Sequence, residues 1–205
     1  MDDTLLVVID AQRAFVDPSG SLARAFGVDE VRPGATALLR LRAYLAERRR
    51  ETGPVFVRSE YRPAQFTGGR LDHPLADLCV PGRGIDCEWA SGLDTSGARA
   101  IITKHEADVA SAGAYRDVIE QATAEGARQV ALAGFQFTTC VRASALSTVD
   151  LVAGRGVRVA VLGGLTAARA SSYEATRDGV SQVEATRREL RERGVWVVDE
   201  LEQAV

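Results

Sequence analysis

Lysine is almost missing from this chain. One residue, Lys104, stands against 24 arginines in 205 residues. On a solvated surface the two cations are interchangeable, but not where a compact ammonium with an adjustable pKa is needed. A sequence biased towards arginine loses lysine first where the choice is free, so Lys104, just after the apolar run Ala100 to Ile102, is marked out for a role. Histidine is scarce too. With only His73 and His105, a histidine-rich metal site is not expected. The three cysteines, Cys79, Cys87 and Cys140, are an odd number with no CxxC pair. No disulfide framework is expected, and a reduced, cytoplasmic protein fits best. No apolar run approaches the roughly 20 residues of a membrane span, and MDDTLLVVID does not have the pattern of a signal peptide. A net charge of −3 gives no electrostatic footprint for nucleic acid or an anionic membrane.

What is present is the composition of one large globular domain, with 46% hydrophobic and 26% charged residues. Short apolar runs alternate with helical patterns. LLVVI (Leu5 to Ile9), VFV (Val55 to Val57), AII (Ala100 to Ile102), QVALAG (Gln129 to Gly134), RVAVL (Arg158 to Leu162) and VWVV (Val195 to Val198) read as strands. Helical spacing runs from Val31 to Ala46, with a stop expected near Gly53-Pro54, then over Ala114 to Ala124 and Cys140 to Val152. A long helix is expected over Ser172 to Arg193, ended by Gly194. Uninterrupted apolar strands alternating with helices imply an α/β fold with a parallel sheet covered on both faces. Glu60 to Gly97 breaks the pattern, being rich in Pro, Gly and Asp without periodicity. Excursions this long are usually functional, so it reads as a lid or an interface arm.

Ligands of open parallel sheets bind beyond the carboxyl ends of the strands. Asp10 follows the first strand, Lys104 the third, and Cys140 the fourth, at the start of a helix. A carboxylate, an ammonium and a thiol are carried to one edge. A thiol at a helix N-terminus beside a cation is expected to lose its proton more easily. Asp10 can take that proton and return it to a leaving group.

These segments resemble the isochorismatase-like cysteine hydrolases, a family that includes nicotinamidase and N-carbamoylsarcosine amidase. LLVVIDAQRAFVDPSGSL resembles the family's opening segment, with Asp10, Gln12 and Phe15 in place. CVPGRG, Lys104 with SAGAY downstream, and GFQFTTCVRASA resemble three further family segments, in order along nearly the whole chain. The resemblance implies a three-layer α/β/α sandwich around a mostly parallel, six-stranded Rossmann-like sheet, as one domain over 1–205. It implies a catalytic triad of Asp10, Lys104 and Cys140. It also implies a non-prolyl cis peptide between Phe135 and Gln136, and an oxyanion hole made by the N–H groups of Gln136 and Cys140. The expected partner is a small-molecule amide, and relatives usually form homodimers or homotetramers.

The chain departs from the family in several places. Where several relatives bind a metal through a TQDWH-like sequence, this chain has RSEYR, with Glu60 and Arg62 at the metal-binding positions. No catalytic metal and no cofactor are expected, and His73 reads as a loop histidine. Phe137 stands where a small Thr is usual, and Gly163-Gly164-Leu165 where an Asp-Ala pair is common. Phe15, Tyr61, Phe66, Trp89, Phe135 and Phe137 read either as pocket wall or as core. Arg58 and Arg62 read either as a carboxylate clamp or as solvated surface. Cys79 and Cys87 read as unreactive. The reaction expected is hydrolysis of a C–N amide or carbamoyl bond through a thioester. Two other readings stand beside it: a vinyl-ether hydrolase with Asp10 as the acid, and a catalytically silent binding protein.

Overall fold

The computed structural model describes residues 3–47 and 53–198. Its centre is a six-stranded sheet made of β1 (Thr4–Ile9), β2 (Val55–Ser59), β3 (Ala100–Lys104), β4 (Gln129–Phe135), β5 (Arg158–Ala167) and β6 (Trp196–Val198). The order is β3-β2-β1-β4-β5-β6, and every neighbouring pair is parallel. The sheet is therefore wholly parallel. Its strand order reverses between β1 and β4, the switch point at which such sheets hold their ligands.

Alternate side chains on each strand feed two separate cores. Val7, Ile9, Val57, Leu132 and Val161 pack under α4 (Gly113–Ala124), α5 (Arg142–Val152) and α6 (Gln182–Glu192). Val8, Phe56, Ala131, Ala133 and Leu162 pack under α1 (Arg13–Val16), α2 (Ser21–Phe26) and α3 (Arg32–Glu47). The result is a three-layer sandwich. At the switch point the backbones come so close that a Cβ on Gly134 would lie 2.0 Å from the Ile9 carbonyl oxygen. Gly134 also has a φ of 112°, so both space and conformation demand glycine there.

The segment after β2 contains no helix or strand before β3. It folds back over the exit of β1. Ala90 N–H donates to the Ala11 carbonyl at 2.8 Å, Arg13 N–H to Glu88 at 2.9 Å, and Tyr61 N–H to Cys79 at 2.9 Å. The Asp86 carboxylate, buried, accepts from the Ser21 N–H at 3.0 Å. This cover is why α1 and α2, too short for a helical period to declare itself, keep a buried face.

Several boundaries differ from the sequence expectation, three of them with a clear local form. The helix expected from Ser172 starts only at Gln182, because Ser181 and Glu184 form a reciprocal capping box there. Before it, Thr176 and Val180 close a tight loop. The strand β5 does not end at Leu162 but continues through a bulge at Gly163-Gly164 to Ala167, which pairs with Phe135. The helix expected from Cys140 is preceded by a wide π-type turn, Phe137–Val141, and its regular part begins at Arg142. The stop expected near Gly53-Pro54 falls beside residues 48–52, which lie outside the described residues.

Candidate active site

The first strand delivers Asp10 in an unusual backbone state. Its φ is 49°, a left-handed conformation that Asp tolerates better than most residues. Its N–H is held by the Val57 carbonyl at 2.8 Å. This turn aims the carboxylate across β2 towards β3. There Lys104 Nζ stands 2.9 Å from Asp10 Oδ2, and both side chains are fully buried. That contact is an ion pair, with no donor aligned on Asp10 Oδ2 as a hydrogen bond. The other oxygen, Oδ1, accepts from the Ser59 hydroxyl at 2.9 Å.

Ser59 is the hub of this cluster. It lies directly opposite Lys104 in the β2–β3 register. Lys104 Nζ donates to Ser59 Oγ at 2.7 Å, to the Tyr61 hydroxyl at 3.1 Å and to the Glu106 carbonyl at 3.1 Å. Gln12 locks the Ser59 backbone in place. Its Oε1 accepts from the Ser59 N–H at 2.7 Å, and its Nε2 donates to the Ser59 carbonyl at 3.0 Å. Burial works to lower the Lys104 pKa, but the Asp10 and Cys140 charges outweigh it and hold the ammonium above its ordinary range.

Cys140 completes the cluster from the other side of the switch point. Its thiol is buried, 3.9 Å from the Tyr61 hydroxyl, and close enough to Asp10 and Lys104 for both charges to act on it. The expectation of a readily ionised thiol is corrected here. Burial first, then the Asp10 charge, push the thiol up to about 11, and these outweigh the opposing pulls of Lys104 and Tyr61. The π-type turn also removes the simple helix start on which the expectation leaned. The resting sulfur is a protonated thiol beside a carboxylate. The Phe135–Gln136 peptide is cis. Gln136 begins the turn that carries Cys140, and its carbonyl accepts from the Thr139 and Val141 N–H groups, both at 3.1 Å.

The remaining sequence candidates separate. Tyr61 joins the polar cluster through its hydroxyl, while Phe66 packs edge-on against its ring at 4.6 Å. Phe15 and Phe135 are buried in the α3-side core, and Phe137 in the opposite core with the Arg187 guanidinium 5.9 Å from its ring. Trp89 packs on Phe56. Arg58 is taken up by Glu60 at 2.9 Å and by the Thr103 hydroxyl at 3.0 Å, so it does not join Arg62 as a clamp. A cavity of about 310 Å³ lies against Tyr61, walled by Glu60, Arg62, Pro81, His105 and Glu106. Tyr61 lines this cavity, and its hydroxyl lies 3.9 Å from the Cys140 sulfur. His73 lies in the excursion, where its Nδ1 accepts from the Leu75 N–H. The thiol of Cys79 is raised by burial, and that of Cys87 is pushed up to about 11 by burial and then Glu60.

Glu60 and Arg62 make a poor cation site. The Glu60 carboxylate already pairs with Arg58, Arg62 is itself a cation, and no group of three or more His, Cys, Asp or Glu is placed to hold a metal among the described residues. The residue that sequence reasoning missed is Ser59. Its signal was available, since it is the last residue of the strand beside Lys104, on the same face.

The fold and these residues define an α/β protein with a buried carboxylate, ammonium and thiol at the switch point of its sheet. The chain belongs to the isochorismatase family of hydrolases: the isochorismatase domain model matches residues 4–177. Among solved structures it is similar to the pyrazinamidase of Pyrococcus horikoshii in complex with zinc, with 20% identity, a TM-score of 0.71, and 97% of this chain and 99% of that one covered. It is similar to a nicotinamidase/pyrazinamidase of Acinetobacter baumanii, at 16% identity and a TM-score of 0.72 over 99% of both chains. It is also similar to the N-carbamoylsarcosine amidase of Thermoplasma acidophilum, at 21% identity and a TM-score of 0.68, over 98% of this chain and 99% of that one. No curated protein matches the sequence. No helix among the described residues is long and apolar enough to cross a membrane.

Proposed function

We propose that this protein is an amidohydrolase that cleaves a C–N amide or carbamoyl bond of a small molecule through a thioester on Cys140. The observation that carries this reading is the meeting of Asp10, Lys104 and Cys140, three residues far apart in sequence, in one buried cluster. A protonated thiol needs a base at the moment of attack, and Asp10 is the carboxylate beside it. Asp10 accepts the thiol proton as sulfur bonds to the substrate carbonyl carbon. The N–H groups of Gln136 and Cys140 then receive the oxyanion, a contribution worth about 100-fold or more in rate per donor. Asp10 returns the proton to the leaving nitrogen, and ammonia or an amine departs. Water attacks the thioester with Asp10 as base, which releases the acid and restores the thiol. Lys104 holds Asp10 in place and offsets the negative charge throughout.

The likeness to nicotinamidase and N-carbamoylsarcosine amidase structures supports small amides and carbamoyl compounds as the class to test. A panel of small amides and ureas, read by ammonia release, gives turnover with at least one member. Cys140→Ala then abolishes that turnover. Unchanged turnover in Cys140→Ala ends the thioester reading, and loss only in Asp10→Ala transfers the chemistry to the aspartate.

A further inference from the structure

Three hydroxyl-bearing or charged groups compete for too few protons around Ser59. Ser59 Oγ has one proton. It stands 2.9 Å from Asp10 Oδ1 and 2.6 Å from the Tyr61 hydroxyl, while accepting from Lys104 at 2.7 Å. While Asp10 carries the negative charge, the Ser59 proton belongs on Asp10, because bonds to a charged acceptor are the stronger ones. The short Ser59–Tyr61 contact then has to be carried by the phenolic proton. That proton has a second place to go, since Cys140 Sγ lies 3.9 Å from the same phenolic oxygen. Burial, then the Cys140 and Asp10 charges, hold the phenol far above its ordinary range, so Tyr61 keeps its proton whichever group carries the charge.

We propose that the Tyr61 hydroxyl is a switchable donor, bonded to Ser59 while the Cys140 thiol keeps its proton and turned onto the sulfur once that proton has left, whether to Asp10 or to solvent, because the charged sulfur is then the stronger acceptor. The proposal rests on the thiol–aspartate reading above and adds a residue to it. The balance is simple. Where Asp10 takes the proton, the S–H bond breaks and an O–H bond forms on Asp10. A protonated carboxyl is a weak acceptor, so the Ser59 proton turns to the Tyr61 oxygen, and the Tyr61 proton turns to the sulfur anion. No further proton enters or leaves. Lys104 bonds both hydroxyl oxygens and holds them in line through the exchange. Tyr61 then contacts the reacting atom, whereas Ser59 is a positioning residue.

The test uses Tyr61→Phe, which keeps the ring and its contact with Phe66. The thiolate is read by its ultraviolet absorbance, as the difference between each protein and the same protein carrying Cys140→Ala. Loss of a donor to a charged sulfur moves the rising edge of this titration about one pH unit upward. In parallel, alkylation of Cys140 by iodoacetamide at neutral pH slows about tenfold in Tyr61→Phe. An edge that stays in place or moves down in Tyr61→Phe overturns the proposal. The readout needs no substrate. A shifted edge with full amide turnover in Cys140→Ala therefore leaves the donor intact and removes only the amidase reading.

Discussion

Ser59 and Lys104 are register partners on neighbouring parallel strands, and their side chains meet at 2.7 Å. The strand ladder thus sets the ammonium in a ring of four oxygens, from Asp10, Ser59, Tyr61 and Glu106, all within 3.1 Å of one nitrogen. A point charge on a flexible stem fits such a ring. A planar guanidinium, with five donors in a fixed fork, does not. This is the physical reason for a lone lysine in a chain that otherwise uses arginine.

The first prediction concerns that pair. Lys104→Met leaves the Asp10 charge buried and unpaired. Breaking a buried pair from one side costs about 3–5 kcal/mol, whereas removing both partners together is often close to neutral. Guanidinium denaturation of Lys104→Met shows a loss of that order, and Asp10→Asn in the same chain restores most of it. A single variant as stable as the parent contradicts the burial of the pair.

The second prediction is alkaline. The Cys140 thiol lies at about 11 when folded against an ordinary 9.0, and the Lys104 ammonium is also raised. Both groups hold protons more tightly when folded than when unfolded. Their contribution is complete below pH 9.0 and falls as pH climbs through about 11. Denaturation midpoints measured at rising pH decline across that window, by an amount on the order of 2 kcal/mol for the thiol alone. Cys140→Ala flattens the decline, because it deletes one of the two linked groups.

The third prediction is steric. At Gly134 an added methyl group would stand 2.0 Å from the Ile9 carbonyl, in a backbone conformation with φ of 112°. Neither contact nor conformation can relax cheaply, because β1 and β4 are the central strands. Gly134→Ala costs more than about 3 kcal/mol and yields little soluble protein, as expression and thermal denaturation will show.

The strands were legible because each is a dense apolar run flanked by turn residues, and the rule that ligands sit beyond strand ends then singled out Asp10, Lys104 and Cys140. The ends of elements were not, because they depend on single contacts. Gly163-Gly164 reads as a stop, yet the strand β5 crosses it as a bulge to regain its partner Phe135. Ser59 is easily passed over for a related reason, since its place at a strand end gains meaning only from the lysine 45 residues away that bonds it. The thiol was misread because dipole and cation arguments are local, whereas burial is a property of the whole fold. The aromatic residues could not be sorted from sequence at all. Phe15 and Phe135 fill one core and Phe137 the other, and only Tyr61 has a polar end that the site uses.

The fourth prediction turns on where α6 begins. A helix running unbroken from Ser172 would place Ser181 in its interior, where alanine is the better helix former and Ser181→Ala would stabilise the protein. The structure instead makes Ser181 the cap. Its hydroxyl accepts from the Glu184 N–H at 3.1 Å, and the Glu184 carboxylate accepts from the Ser181 N–H at 3.0 Å. Removing such a cap costs about 1 kcal/mol, a fall of about 2–4 °C in Tm for a chain of this size. The two placements of the helix start predict opposite signs for the same substitution. Calorimetry of Ser181→Ala shows a lower Tm, and Ser181→Thr, which keeps the hydroxyl, recovers most of it. The candidate site takes no part in this contact, so thiol alkylation at Cys140 proceeds at the parent rate in both variants.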